Sequence, residues 1–167
     1  MTPDSPANPN PVSPVPEAAN QGAVRPPLVS LGSITLGLIL HLVWPISLLP
    51  RRFGAGLGLP VILLAVGLFV SAVRTFKAAG TPVPGNQPTT AIVRRGPYRF
   101  SRNPIYLAFS LLQLGIALWV NSVWLVITLL VAVAVMSLVV IPKEERYLEA
   151  RFPSEYPPYK ASVRRWL

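Results

Sequence analysis

Apolar residues in this chain fall into four long runs separated by polar or proline-rich breaks. That spacing predicts an all-α integral membrane protein. The runs extend over about 28–49, 53–73, 103–120 and 123–141. Each is close to the ~20 residues a helix needs to cross a ~30 Å hydrocarbon layer. Pro50-Arg51-Arg52 closes the first run, and Arg74-Thr75-Phe76-Lys77 closes the second. Gly54, Gly56 and Gly58 near the start of the second run predict close contact with another helix. Pro104 suits the first turn of the third helix, where no backbone donor is needed. Asn121-Ser122 makes a tight break before the fourth.

Three segments lie outside the runs. Residues 1–27 carry eight prolines among Asn, Ala and Ser, and lack the basic start and apolar core of a signal peptide. They read as a disordered tail, with partner binding through an extended proline helix as the other reading. Residues 74–102 form a polar connector, in which Gly80-Thr81-Pro82-Val83-Pro84-Gly85-Asn86 imposes turns. After Pro142, the spacing of Glu144, Tyr147 and Leu148 predicts an interfacial C-terminal helix that ends at Phe152-Pro153. A basic, aromatic tail follows to residue 167. The expected organisation is one membrane domain, 28–167, of about four transmembrane helices plus that interfacial helix. Thirteen of the fifteen basic residues then fall on one side, Arg51 and Arg52 being the exceptions. The positive-inside bias places the connector and C-terminus in the cytoplasm.

Composition narrows the function classes. The chain is 51% hydrophobic and 13% charged, and its net charge of +9 points to anionic lipid headgroups rather than nucleic acid. With no cysteine and one histidine, His41, neither thiol chemistry nor a histidine metal site is expected. His41 reads as a hydrogen-bonded structural residue, and Gln113 as a bond to a neighbouring helix. No P-loop, dinucleotide-binding glycine turn or Ser/His/Asp order is present.

Candidate chemistry concentrates in two segments that bracket the third and fourth runs. The first is Gly96-Pro97-Tyr98-Arg99-Phe100-Ser101-Arg102-Asn103-Pro104-Ile105-Tyr106, preceded by Arg94-Arg95. The second is Lys143-Glu144-Glu145-Arg146, followed by Tyr156-Pro157-Pro158-Tyr159 and Arg164-Arg165-Trp166. Carboxylates at a hydrocarbon boundary need partners, and Arg99, Arg102 and Arg146 are candidates. One glutamate holding a cofactor group is one reading; both facing water is the other. Neighbouring residues lie ~100° apart on a helix, so one carboxylate at most is expected to point into a pocket. Arg99 and Arg102 share a helical face and suit either a bound carboxylate or phosphate, or lipid headgroups. The tyrosines and Trp166 suit an interfacial belt or a cage for a cationic sulfonium or ammonium.

These residues resemble the membrane methyltransferases grouped with isoprenylcysteine carboxyl methyltransferase and the phospholipid methyltransferases. The pattern is Gly96, Tyr98, Arg102-Asn103-Pro104 and Tyr106, an apolar hairpin, Glu144-Glu145 and Leu148, then Phe152, Tyr156, Tyr159 and Arg164-Arg165. Asn103 stands where histidine is more common, and Val140 where the eukaryotic prenylcysteine enzymes carry a substrate-contacting arginine. The resemblance implies S-adenosyl-L-methionine as methyl donor and a lipid-like acceptor entering from the bilayer. It implies cofactor contacts at Thr90, Pro97, Tyr98, Arg99, Phe100, Arg102, Asn103, Tyr106 and Glu144, with Glu145 or Arg146 near the acceptor. A carboxylate acceptor needs no proton removed, whereas an amine needs a base such as Glu145 or a tyrosine. Sterol reductases, which use a nicotinamide cofactor, are similar in the Arg-Asn-Pro-x-Tyr region and give the alternative enzyme; a non-catalytic membrane adapter is the third reading.

Overall fold

The computed structural model describes residues 25–50, 54–80 and 89–167. The expected proline-rich tail, apart from its last three residues, lies outside them, as do Arg51-Arg52 and the turns expected over 81–88. Among the described residues the regular structure is entirely helical.

Helix α1 spans Pro26–Val43, with the last two prolines of the expected tail forming its first turn. A missing backbone donor costs nothing there. Its 18 residues give a rise of about 27 Å. It ends sooner than the apolar run because Pro45 disfavours helical backbone in Trp44. The segment after it caps the far end of the bundle. Asn121, in the left-handed conformation, accepts from the Leu48 and Leu49 amides and donates to the Leu49 carbonyl.

Helix α2, Gly54–Ala78, outlasts its apolar run by one turn and carries Phe76 toward the polar end. Helix α3, Pro104–Val120, and α4, Val123–Val135, form the central hairpin, and Ser122 caps α4. After α4 the helix continues through a wider π segment, Met136–Val140, into α5, Ile141–Arg151. Pro142 supplies no donor, and in a regular α-helix its ring meets the carbonyl four residues back. The wider turn carries the chain past it, so the expected break at Pro142 becomes a bulge in a continuous rod. A short helix α6, Tyr156–Ser162, follows.

The helices pack in the order α1, α4, α3, α2, with the longest contacts between α2 and α3 and between α1 and α4. A Cβ on Gly58 would lie 2.6 Å from the Trp119 amide nitrogen, so this glycine sets the α2–α3 distance. Gln113 joins three helices, bonding to Ser33 on α1 and to Leu125 and Thr128 on α4. His41 departs from expectation, because its Nδ1 is buried without a hydrogen-bond partner among the described residues. Leu63, Leu64, Leu130 and Leu138 face outward on long apolar helices. Among the described residues three helices are long and apolar enough to cross a membrane, and α3, at 17 residues, falls just short of that length. The protein is a multi-pass integral membrane protein.

Candidate functional site

The polar end is organised by a single-turn 3₁₀ segment, Gly96–Arg99. Gly96 adopts a φ of 57°, and a Cβ there would lie 2.7 Å from Thr75 Oγ1 on α2. Both the backbone and the close approach require glycine. The turn buries Tyr98 edge-on against Phe76, with ring centroids 4.8 Å apart. From α6, the Tyr159 hydroxyl donates to the Tyr98 carbonyl at 2.8 Å. The connector and C-terminal region therefore meet at one end of the bundle, as a shared site requires.

Two carboxylates on α5 divide the site electrostatically. Glu144 accepts from the Tyr106 hydroxyl at 2.5 Å. Glu145, 6% exposed, is held by three cations. Arg102 Nη1 lies 3.0 Å from its Oε1, and Lys160 Nζ lies 3.3 Å from its Oε2. Arg165 grips both oxygens, through Nε at 3.0 Å and Nη2 at 2.9 Å. This two-point fork matches the geometry of a carboxylate. The remaining charge of the cluster is positive. Lys160 also bonds the half-exposed Glu149 at 2.8 Å.

Between these groups lies a pocket of about 870 Å³ of non-atom space, solvent at its mouth included. Phe76, Ile92, Val93, Ile105 and Leu148 give it apolar walls. Tyr98, Arg102, Tyr106, Glu144, Glu145, Tyr156 and Tyr159 supply its polar chemistry. Two donors in that wall are buried with no acceptor among the described residues, the Tyr98 hydroxyl and Arg102 Nε. An unmade hydrogen bond of this kind costs about 1–3 kcal/mol, which is recovered when a ligand supplies the acceptor. Burial, reinforced by Tyr159 and Glu144, pushes the Tyr98 phenol well above its ordinary range. Burial likewise raises Tyr156 and Tyr159. All three remain neutral donors at physiological pH.

The structure brings Tyr98, Arg102, Asn103, Tyr106, Glu144 and Glu145 to one pocket. Both glutamates line it, unlike the expectation that one at most points inward. The pocket is broad, and Glu144 turns to Tyr106 on α3 while Glu145 turns to the arginines. The other candidates lie outside the lining. Arg99 and Phe100 fan out of the turn into exposed positions, Phe100 at 70%. Pro97 supports the turn through its carbonyl, which accepts from the Phe100 and Ser101 amides. Thr90 faces outward and bonds the Gly80 carbonyl, while its neighbour Thr89 lines the pocket. Arg146 is exposed on the outer side of α5. Four residues outside the candidate set complete the site: Tyr156 and Tyr159 in its wall, Lys160 and Arg165 behind Glu145. Their signal was the C-terminal aromatic and basic spacing itself.

These features define a helical membrane protein with a polar, aromatic-walled ligand pocket at one end of its bundle. The phospholipid methyltransferase family matches residues 53–155, well over half the chain, and the protein belongs to that family. This is a family of membrane methyltransferases. An uncharacterised protein of Haemophilus influenzae is 36% identical over 63 residues, which is 100% of its length and 38% of this chain. The family match leaves α1 outside and stops before Tyr159, Lys160 and Arg165.

Proposed function

We propose that the protein transfers a methyl group from S-adenosyl-L-methionine to a lipid-like amphipathic acceptor at the membrane interface. The observation that carries this reading is the placement of Tyr98, Arg102, Tyr106 and Glu144 around one pocket at the end of an apolar bundle. Bound there, S-adenosyl-L-methionine supplies an electrophilic methyl group on a sulfonium centre. The residues suit its parts. The Tyr98 hydroxyl and Arg102 Nε are buried donors awaiting oxygen acceptors. The Glu144 carboxylate and the faces of Tyr98, Tyr156 and Tyr159 suit a cationic group.

Methyl transfer from a sulfonium depends chiefly on holding donor and acceptor in line. The chain's part is accordingly positional. Tyr106 fixes Glu144, while Arg102 and Asn103 at the start of α3 shape the floor. The apolar walls limit water. Glu145, near the acceptor, serves as the counter-ion that keeps Arg102 in place in the cofactor wall. The acceptor reaches this wall from the bilayer, and its headgroup meets a cytoplasmic face rich in arginine.

Incubating the purified protein with methyl-labelled S-adenosyl-L-methionine and a total lipid extract tests this reading. Saturable label is expected in the lipid fraction, with at least a tenfold loss for Glu144→Gln. Label no higher than in a protein-free control contradicts it.

A further inference from the structure

The last residues of the chain form a clamp on the pocket without entering it. The Arg164 carbonyl accepts from the Arg102 amide at 3.0 Å. The Arg165 carbonyl accepts from Asn103 Nδ2 at 2.9 Å and from Ser101 Oγ at 3.4 Å. Trp166 Nε1 donates to Ser137 Oγ at 3.1 Å, within the π segment. The Arg165 side chain completes the set. Its fork takes both Glu145 oxygens, and its Nη1 donates to the Ser137 carbonyl at 3.3 Å.

We infer that Arg165 is a positioning residue for the ligand pocket, acting through Glu145 on Arg102. The Arg102 side chain is 10% exposed; its Nη1 meets Glu145 at 3.0 Å and donates to the Tyr156 hydroxyl at 3.5 Å, which leaves Nε buried in the pocket wall without a partner among the described residues. Where that Nε–H points depends on where Glu145 sits. Arg102 and Lys160 each hold one Glu145 oxygen, and Lys160 is shared with Glu149, whereas the planar Arg165 fork holds both oxygens at once and fixes the plane of the carboxylate. Arg165 supplies the fork and anchors it to the π segment, which fixes the height of Glu145 along the helix. Supporting contacts of this kind set the precision of a ligand-binding group. The backbone bonds at Arg164 and Arg165 do not involve the arginine side chain. The tail therefore stays docked when that side chain is shortened, and the variant isolates its effect.

The inference rests on the proposed methyl donor in one of its two tests and is independent of it in the other. The first test is the Nε–H resonance of Arg102 in the ligand-free, ¹⁵N-labelled protein in micelles, assigned by its loss in Arg102→Ala. The wild type is expected to show a slowly exchanging signal, and Arg165→Ala a fast-exchanging or broadened one. An unchanged signal overturns the inference whether or not S-adenosyl-L-methionine binds. The second test is calorimetric titration of S-adenosyl-L-methionine. Arg165→Ala is expected to weaken binding at least tenfold. Arg165→Lys, which keeps the charge but lacks the fork, is expected to stay at least fivefold weak. In an Arg102→Ala background, Arg165→Ala is expected to add less than a twofold loss, because coupled residues are non-additive. Full rescue by lysine, or losses that multiply, overturns the inference. Absence of binding by the wild type refutes the donor assignment, and the Arg102 signal then decides the inference by itself.

Discussion

Glu145→Ala is expected to destabilise the protein by about 3–5 kcal/mol, the usual cost of stranding a buried charge. Arg102 is the stranded group. Its side chain is 10% exposed, and Glu145 is its ion-pair partner among the described residues. Lys160 and Arg165 lose less, because each is about a third exposed and water replaces part of the lost interaction. Glu149→Ala is the matched control. It removes a carboxylate from the same helix and the same lysine, but at a half-exposed position, where pairs contribute about 0–1 kcal/mol. Thermal unfolding of both variants in one detergent separates the cases. A Glu145→Ala midpoint no lower than that of Glu149→Ala contradicts the assignment of Glu145 as the counter-ion of the site.

Tyr98→Phe is expected to move stability and affinity in opposite directions. The Tyr98 hydroxyl is buried with no acceptor among the described residues, so removing it relieves a cost of about 1–3 kcal/mol, and the unfolding midpoint stays the same or rises. The same change removes a donor offered to the ligand, and S-adenosyl-L-methionine binding is expected to weaken about tenfold or more. Tyr159→Phe provides the contrast. Its hydroxyl holds the Tyr98 carbonyl at 2.8 Å, so its loss lowers the midpoint. A destabilised Tyr98→Phe variant with unchanged affinity assigns that hydroxyl a structural role and removes it from the ligand site.

The membrane architecture was legible because helix length and apolar content are local properties. Helices α3 and α4 begin within a residue of the third and fourth apolar runs, at Pro104 and Val123. The ends of the other elements were less legible, since they depend on particular prolines. Pro45 shortens α1 and Pro26 starts it, while Pro142 widens the helix instead of ending it. The pairing of Glu145 with Arg165 was beyond reach of spacing arguments, because twenty residues and a reversal of direction separate the partners. Arg99 and Arg146 were natural partners in sequence, yet both face outward, as a 3₁₀ turn and the outer side of α5 dictate. Gln113 was the opposite case. A lone amide inside an apolar run must find partners on other helices, and it does so on two.

The most direct test is parallel titration of the purified wild-type protein with S-adenosyl-L-methionine and with NADPH. Saturable S-adenosyl-L-methionine binding, weakened by Glu144→Gln and by Tyr98→Phe, with no NADPH binding, is the predicted result. NADPH binding without S-adenosyl-L-methionine binding contradicts the account and turns it toward a reductase.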